Sequence, residues 1–225
     1  MAVVRDPLAG VRMLVTAGPT WVALDRVRVI TSIFSGSTGI DIARAAARRG
    51  ADVTLLLGPG RSRLEDGAEG IRVQPYVFYD ELAELVRREV SAGAYRVVIH
   101  SAAVADYQPE SPHSGKWRSG AKEMVVRLKP TAKLVDRIKL LDPGITLVMF
   151  KLEVGRSQAE LVEQGLAALR RAGADLVVVN ELESVRQEHT AFLVEPEGGI
   201  VQAVGREQIA ARLLEWLERR FARAE

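Results

Sequence analysis

Short β-branched segments alternate with longer amphipathic segments along most of the chain. The run Val11 to Thr16 is apolar on both faces, which favours a strand inside a parallel sheet. A long loop over residues 17–39 precedes a helix predicted at Ile40 to Arg49, and Asp52 to Leu57 follows as the next strand. Gly50 lies where a helix of this kind commonly ends. Strand, helix and strand in this order make a βαβ unit.

The same alternation continues to the end of the chain. It predicts helices at Tyr79–Ala92, Thr131–Leu141, Ser157–Ala172 and Glu207–Ala222, and strands at Arg96–His100, Ile145–Phe150 and Asp175–Val179. A Pro-Glu-Gly-Gly turn between Ala191–Val194 and Ile200–Val204 predicts a hairpin before the last helix. The expected fold is a single α/β domain over residues 1–225. Its doubly wound, mostly parallel Rossmann-like sheet would carry helices on both faces and a C-terminal β-hairpin plus helix.

One segment departs from this pattern. Residues 110–122 are rich in Ser, Gly and Lys and poor in aliphatic side chains. Such a segment is typical of a mobile surface loop, and its position between two predicted elements suits the tip of a β-ribbon.

Composition narrows the chemistry that is available. The 225 residues include 31 Lys and Arg against 29 Asp and Glu, and 48% are hydrophobic, so the chain can bury a sizeable core. A net charge of +2 gives too weak a field to favour a nucleic-acid partner. There is no cysteine, which excludes disulfides, iron–sulfur clusters and a thiol nucleophile, and three scattered histidines make a His-rich metal site a poor prospect.

Targeting and membrane signals are missing from the sequence. The first ten residues contain no apolar core of the signal-peptide kind, and no apolar run approaches the roughly 18 residues of a membrane span. We therefore expect a cytoplasmic protein that does not enter a membrane.

Ligands of doubly wound sheets bind beyond the carboxyl ends of the strands, so the loops that follow strands deserve inspection. The loop over residues 17–39 contains neither a Walker GxxxxGK[ST] motif nor a dinucleotide GxGxxG motif. It does place Ser35-Gly36-Ser37-Thr38-Gly39 at a helix start, where free backbone N–H groups and the helix dipole favour an anion such as phosphate. The alternative is that a serine only caps the helix while the glycines serve the turn.

The segment Ser101–Tyr107 ends a predicted strand in small residues, beside which a flat ring can lie. Its Asp106 is suited to contact a sugar hydroxyl or a metal-bound phosphate, although a capping Asp beside a packing contact explains the pattern equally well. Lys116 and Lys129 would bring positive charge to the same edge of the sheet.

Two further residues follow predicted strands. Phe150 can stack on a base or belong to the core, and Asn180 can hold a turn or bind a substrate.

Seven motifs in order carry a family resemblance. They are TAGPT (16–20), LDRVRVIT followed by SG and G (24–39), SAAVADYQP (101–109), SGKWRSG (114–120), LKPTAKLVDRIK (128–139), FKLEV (150–154) and VVNEL (178–182). On these motifs the chain resembles phosphopantothenate–cysteine ligase, also called phosphopantothenoylcysteine synthetase. It is most similar to the stand-alone bacterial form, because no flavin-containing decarboxylase domain precedes the motifs.

The resemblance implies an enzyme of coenzyme A biosynthesis that joins 4′-phosphopantothenate to L-cysteine through an acyl-nucleotidylate. CTP is the expected co-substrate, with ATP as the alternative, and CMP and pyrophosphate would be released with CTP. Magnesium is the expected cofactor, held mainly by the nucleotide phosphates. The expected partners are these small molecules and a second copy of the chain, since the family's enzymes are homodimers with sites near the subunit interface.

The resemblance also assigns roles to residues. Lys116, on a flap at about residues 108–124, would be catalytic together with Ser32 and Arg28, and the flap and Arg28 would act with residues of the partner subunit. Substrate binding would involve Ser32, Ala103 and Asn180. Nucleotide binding would involve Gly18, Ser35, Gly36, Ser101, Ala102, Asp106, Lys116, Lys129, Pro130, Thr131, Ala132, Phe150 and Arg171.

Four positions depart from the family pattern. Ser32 stands where the family usually has an Asn that holds the acyl-nucleotidylate, Ser37 replaces a usual Lys or His, and Arg170 and Arg171 replace a lysine pair. Serine reaches less far than asparagine and lacks its second polar group. These departures leave open a ligase of the same fold for a different acid, or a non-catalytic nucleotide-binding homologue.

A short-chain nicotinamide reductase would share the sheet but needs a Gly-rich turn and a Tyr-x-x-x-Lys pair. The residue four after Tyr107 is Ser111, and the residue four after Tyr95 is Ile99, which disfavours that class.

Overall fold

The structure, a computed structural model, describes residues 6–120 and 122–222. The strands are β1 Arg12–Ala17, β2 Val22–Ala23, β3 Val29–Ile30, β4 Asp52–Leu57, β5 Arg72–Pro75, β6 Val97–His100, β7 Tyr107–Pro109, β8 Leu128–Pro130, β9 Thr146–Glu153, β10 Leu176–Glu181, β11 Thr190–Val194 and β12 Ile200–Val204. The helices are α1 Ser37–Arg48, α2 Tyr79–Ser91, α3 Val135–Leu141, α4 Gln158–Ala172, α5 Leu182–Arg186 and α6 Arg206–Ala222.

Eight strands form the main sheet, in the order β12-β11-β10-β9-β6-β1-β4-β5. The six strands from β5 to β10 in this order are parallel, and β11 and β12 add an antiparallel hairpin at one edge. This confirms the predicted doubly wound, mostly parallel fold. After β1 the chain builds β4 and β5 on one side, and then returns to build β6, β9 and β10 on the other. The strand order therefore reverses between β1 and β6.

Helices cover both faces of the sheet. Because side chains of a strand alternate between faces, Val15 and Ile99 pack with α1 and α6, while Leu14 and Val98 pack with α2, α3 and α4. These four side chains are fully buried. Within the described ranges, no helix combines the length and apolarity needed to cross a membrane.

The ribbon that the sequence predicts is present. Strands β7 and β8 pair in antiparallel fashion, from Tyr107 opposite Pro130 to Pro109 opposite Leu128, and the Glu110 N–H extends the pairing to the Arg127 carbonyl. The intervening residues form the tip of this ribbon.

Some elements differ from the prediction. Strand β5, helix α5 and the β2–β3 hairpin within the long loop were not predicted, because each is too short to show a periodic apolar pattern. Helix α3 begins at Val135 rather than Thr131, since Thr131 is bound to the segment that follows β6. Strand β9 continues to Glu153 instead of ending at Phe150.

Candidate active site

The segments that leave β1 and β6 run side by side beyond the sheet. The N–H of Ala103 donates to the Gly18 carbonyl at 2.9 Å, and the N–H of Thr20 donates to the Ala103 carbonyl at 3.2 Å. Oγ1 of Thr20 accepts the N–H of Ala105 at 2.9 Å. These bonds lie at the reversal of strand order, which is where open α/β sheets bind their ligands.

A buried histidine at the end of β6 lies next to this junction. Nδ1 of His100 lies 3.0 Å from Oγ1 of Thr16, which also accepts the N–H of Ala102 at 3.2 Å. Burial lowers the pKa of His100 to about 4, so the ring is neutral at neutral pH. Oγ of Ser101 donates to the Thr16 carbonyl at 2.7 Å. Together these contacts fix Ser101 and Ala102, the two residues expected beside the base.

Glycine occupies the N-cap of α1. Gly36 has φ of 87°, and a Cβ there would lie 3.1 Å from Cα of Gly18, whose own φ is 84°. Since L side chains rarely adopt this backbone, both positions favour glycine. Gly36 has no side chain to accept the first-turn N–H groups, and only the Ser37 N–H reaches a neighbouring hydroxyl, Oγ of Ser35 at 3.3 Å, among the described side chains. This helix end is therefore suited to an external anion.

Serine hydroxyls line the same helix end. Oγ of Ser37 lies 2.7 Å from Oγ of Ser35 and 2.6 Å from Oγ of Ser62, which follows β4. We refer to Ser35, Gly36 and Ser37 as the anion cradle. Ser62 was not predicted, because it lies far from the cradle in sequence and in a loop without a motif.

The anion cradle adjoins the segment after β6. A Cβ on Gly39, in the first turn of α1, would lie 2.4 Å from Cβ of Ala17 and 2.6 Å from Oγ of Ser101. Only a glycine permits so close an approach of α1 to these two segments. The predicted residues Gly18, Ser35, Gly36 and Ser101–Ala103 are thereby brought into one site.

Asp106 and the segment after β8 also meet. The N–H of Thr131 donates to the Asp106 carbonyl at 2.9 Å, and Oγ1 of Thr131 donates to the Ala105 carbonyl at 2.6 Å. The Asp106 carboxylate is exposed and pairs with Nζ of Lys133 at 2.5 Å. Lys129 stands opposite Gln108 in the ribbon. The predicted nucleotide residues Asp106, Lys129, Pro130, Thr131 and Ala132 therefore lie together.

Phe150 occupies a neighbouring strand at the same edge. His100 of β6 pairs with Met149 of β9, so Ser101 and Phe150 are the next residues on the two strands. Phe150 is half-buried and packs against the core on the α1 and α6 face. The core role is thus observed, and stacking on a base stays a prediction for the exposed part of the ring.

Asn180 lies at the carboxyl end of β10, one strand beyond Phe150. The residue is only 6% exposed, and its Oδ1 finds no hydrogen-bond partner among residues 6–120 and 122–222. A buried carbonyl oxygen without a partner is unusual in a folded protein.

Arg171 is the predicted nucleotide residue that the structure does not bring to this edge. It lies in the last turn of α4, which runs antiparallel to the strands and ends just before β10 begins. Its Nε pairs with Oδ2 of Asp136 on α3 at 3.0 Å. A crossover helix that starts at the carboxyl edge must end at the amino edge.

The flap is bound to the loop between β2 and β3. The N–H of Arg26 donates to the Gly115 carbonyl at 3.1 Å, and the N–H of His113 donates to the Leu24 carbonyl at 3.0 Å. The rings of His113 and Trp117 stack with centroids 5.6 Å apart. Lys116 therefore lies within a fixed stretch of backbone, and its own side chain is exposed.

Asp25 is a site residue that sequence reasoning missed. Its side chain is fully buried, and its Oδ2 accepts the Trp117 N–H and the Arg28 guanidinium, each at 3.1 Å. Burial raises the pKa of Asp25, but N–H groups of Val27, Trp117 and Arg28 and the Arg28 charge outweigh it and hold the pKa below its usual value. The sequence feature that could have identified Asp25 is the placement of a carboxylate in an unusually long loop between a strand and a helix.

Arg28, predicted to be catalytic, shares this contact. Besides Asp25, its guanidinium reaches the Trp117 carbonyl at 3.4 Å. Within one protomer, Arg28 thus contacts the flap.

Ser32 lies in the loop between β3 and α1. Its hydroxyl oxygen is buried and has no hydrogen-bond partner among the described residues. A buried hydroxyl in this state carries an uncompensated desolvation cost, which a ligand acceptor or donor would remove.

Two tyrosines that were not predicted as site residues support the site. The hydroxyl of Tyr76, which is 3% exposed, lies 2.9 Å from the carbonyls of both Ala17 and Gly18. The hydroxyl of Tyr79 donates to the Ala132 carbonyl at 2.7 Å. Nothing in the sequence separates these aromatic side chains from ordinary core residues.

Comparisons with known proteins find relatives over most of the chain. The sequence profile of the DNA/pantothenate metabolism flavoprotein C-terminal domain matches residues 8–220. The coenzyme A biosynthesis bifunctional protein CoaBC of Thermococcus kodakarensis is 38% identical over 188 residues, which cover 83% of this chain and 45% of that protein. The chain thus spans about half the length of the curated relatives it matches.

Two solved structures share the fold. The DNA/pantothenate metabolism flavoprotein from Streptococcus pneumoniae superposes with a TM-score of 0.85 at 27% identity, covering 93% of this chain and 99% of that one. The C-terminal domain of a coenzyme A biosynthesis bifunctional protein CoaBC gives a TM-score of 0.79 at 25% identity, covering 96% and 98%. The profile match spans nearly the whole chain, which places this protein in the DNA/pantothenate metabolism flavoprotein C-terminal domain family.

Proposed function

We propose that this protein is a phosphopantothenate–cysteine ligase of coenzyme A biosynthesis. The observation that carries the proposal is the convergence of the anion cradle, Ser101–Ala102 and Asp106 where the strand order reverses. A nucleotide needs an anion site, room for a flat base and an acceptor for sugar hydroxyls, and these three elements supply them in that order. Family membership and the CoaBC relatives support the same activity.

In the proposed reaction, a carboxylate oxygen of 4′-phosphopantothenate attacks the α-phosphorus of CTP, and the bond to pyrophosphate breaks. The amine of cysteine then attacks the acyl carbon of the acyl-CMP intermediate, loses a proton, and CMP leaves. Both steps need alignment and charge neutralisation rather than a protein nucleophile. Lys116 and Lys129 are cations suited to the phosphates, and the unpartnered hydroxyl of Ser32 is suited to the acyl group.

The nucleotide is proposed to be CTP rather than ATP. The choice rests on the likeness of the motifs to the bacterial ligases.

Magnesium is proposed to bind together with the nucleotide. Within the described part of the chain, no three carboxylates or histidines gather as a metal site. The Asp106 carboxylate beside the ribbon is already paired with Lys133, and the buried Asp25 carboxylate is paired with Arg28. Magnesium prefers a few protein oxygens together with phosphate oxygens, and it would supply charge neutralisation of the leaving pyrophosphate.

We propose a homodimer for the assembled enzyme. Large apolar side chains are exposed in the β2–β3 loop, in the segment that follows β3 and in the ribbon, including Val27 at 64%, Ile33 at 75% and Val125 at 76% respectively. Exposed apolar residues on several segments of one region are typical of an interaction surface. Light scattering of the purified protein should give twice the chain mass, and a monomer at all concentrations would contradict this part.

The decisive experiment measures pyrophosphate release with magnesium, 4′-phosphopantothenate and either CTP or ATP, with and without cysteine. The proposal expects release that depends on the acid and is faster with CTP. Mass spectrometry should detect phosphopantothenoylcysteine only when cysteine is present.

Other outcomes separate the alternatives. Nucleotide binding in a thermal-shift assay without pyrophosphate release would favour a non-catalytic homologue. Release that begins only when another carboxylic acid replaces 4′-phosphopantothenate would assign the same chemistry to a different substrate.

A further inference from the structure

The flap meets the body of the protein through a buried charge. Asp25 uses its two carboxylate oxygens for different tasks: Oδ1 accepts the N–H groups of Val27 and Arg28 at 2.8 and 2.7 Å, and Oδ2 accepts the N–H of Trp117 at 3.1 Å. The first set orders the loop of Asp25 itself. The second reaches a residue 92 positions later in the chain.

Lys116 is bracketed by this contact. The residue before it, Gly115, accepts the N–H of Arg26, and the residue after it, Trp117, donates to Asp25. Both backbone neighbours of Lys116 are therefore bound to one short loop. The Lys116 side chain is exposed and forms no ion pair with a carboxylate in residues 6–120 and 122–222.

We propose that Asp25 is a positioning residue for Lys116, acting as an ionic latch that holds the flap backbone beside the nucleotide site. The inference rests on the proposed function and adds a residue to it. A buried carboxylate is expensive unless its oxygens are satisfied, and here one of the satisfying donors belongs to the flap. The flap is thus needed to complete the environment of Asp25, and Asp25 in turn fixes the flap.

The variant Asp25→Asn separates the two tasks of the carboxylate. Its remaining oxygen can still accept from Val27 and Arg28, which preserves the loop. Its amide would face the Trp117 N–H and the Arg28 guanidinium, and three donors meeting there cannot bond to one another. The substitution should therefore release the flap while leaving the fold intact.

Asp142→Asn provides a matched control. Oδ1 of Asp142 accepts the Gly144 N–H at 2.9 Å just before β9, at the opposite edge of the sheet. It tests the same chemical change at a turn that has no contact with the flap.

The first measurement is amide hydrogen exchange of the ligand-free protein, followed by mass spectrometry. In Asp25→Asn, peptides over residues 113–118 should exchange about 10- to 100-fold faster, since a charge-assisted bond is lost. Peptides from β1 in Asp25→Asn and the flap peptides of Asp142→Asn should match the parent. Unchanged exchange of the flap in Asp25→Asn overturns the latch, whatever the activity.

The second measurement tests positioning through a double-mutant cycle. Asp25→Asn should lower kcat about 10- to 100-fold, the scale of a misplaced catalytic group. If Asp25 acts through Lys116, adding Asp25→Asn to Lys116→Gln should change kcat by less than about twofold. Additive losses would overturn the positioning of Lys116 and assign the loss to Arg28, whose guanidinium Asp25 also binds. A parent protein without acid-dependent pyrophosphate release would instead overturn the proposed function, and the exchange result would still decide the latch.

Discussion

Nζ of Lys133 lies 2.5 Å from Oδ1 of Asp106 at the base of the ribbon. The pair joins the segment after β6 to the segment after β8, and both side chains are about half exposed. An exposed pair adds little to stability, so its value is to orient the carboxylate. Oδ2 of Asp106 remains available for a sugar hydroxyl.

Asp106→Asn should weaken nucleotide binding. The amide keeps one acceptor but loses the charge, and a hydrogen bond to a charged group is worth enough to raise Kd about 10- to 100-fold. Isothermal titration with CTP checks this, with Lys133→Gln expected to give a smaller loss because the carboxylate survives. An unchanged Kd in Asp106→Asn would remove Asp106 from the site.

Lys116→Gln should slow turnover while leaving the nucleotide Kd and the fold largely intact. The lysine charge is proposed to act on charge that develops during the reaction, and loss of one such group lowers kcat about 100-fold or more. Steady-state kinetics and titration with CTP separate the two effects. Lys122→Gln, a nearby exposed lysine of the ribbon, serves as the control. Turnover at the parent rate would return Lys116 to the ordinary surface.

The pH dependence of stability should report on Glu89. This carboxylate is 8% exposed and accepts bonds from Gln74, Tyr95, Arg72 and Arg88. Burial raises its pKa, but these four donors outweigh burial and lower the pKa to about 2. Because the folded pKa lies below the usual 4.5, its contribution is fully present above about pH 4.5 and is lost as pH falls towards 2.

Glu89→Gln should therefore lower Tm at pH 7, and its Tm should fall less than that of the parent between pH 5 and pH 3, as roughly expected from the linkage of protonation to unfolding. Thermal unfolding followed by circular dichroism at several pH values gives the change of Tm with pH for the parent and for Glu89→Gln. Glu84→Gln on the same helix removes an exposed ion pair with Arg87. It should leave Tm at pH 7 and the change of Tm with pH nearly the same as in the parent. Parallel slopes for parent and Glu89→Gln would contradict the assignment.

The same network explains why one strand escaped prediction. Arg72 and Gln74 of β5 both bind Glu89, so the strand that borders the sheet has polar side chains where a buried strand would have apolar ones. Periodicity recognises the central strands, such as β4 at Asp52–Leu57, because both of their faces are covered. Periodicity does not recognise an edge strand such as β5, whose polar side chains bind the Glu89 carboxylate of α2.

The candidate site shows a similar division. Ser35, Gly36 and Asp106 follow strands or begin a helix, and their positions follow from the rule that ligands bind beyond the carboxyl ends. Asp25 differs because its role depends on Trp117, 92 residues away in sequence. Arg171 was assigned by likeness to a lysine pair, whereas the direction of α4 sets its position. Contacts between residues this far apart in the sequence can be identified only from the three-dimensional structure.

Ser32→Ala should raise stability and lower activity at once. The buried hydroxyl has no partner among the described residues, so its removal ends a desolvation cost of about 1 kcal/mol, which corresponds to a Tm higher by roughly 2–4 °C. If the hydroxyl binds the acyl group, kcat/KM for the acid should fall about 10-fold. Ser184→Ala is the contrasting control, because its hydroxyl bonds to both the N–H and the carbonyl of Thr190, and its loss should lower Tm without changing kinetics. A lower Tm with unchanged kcat/KM in Ser32→Ala would show that the hydroxyl serves the fold, and the substrate contact would then have to lie elsewhere at the carboxyl edge.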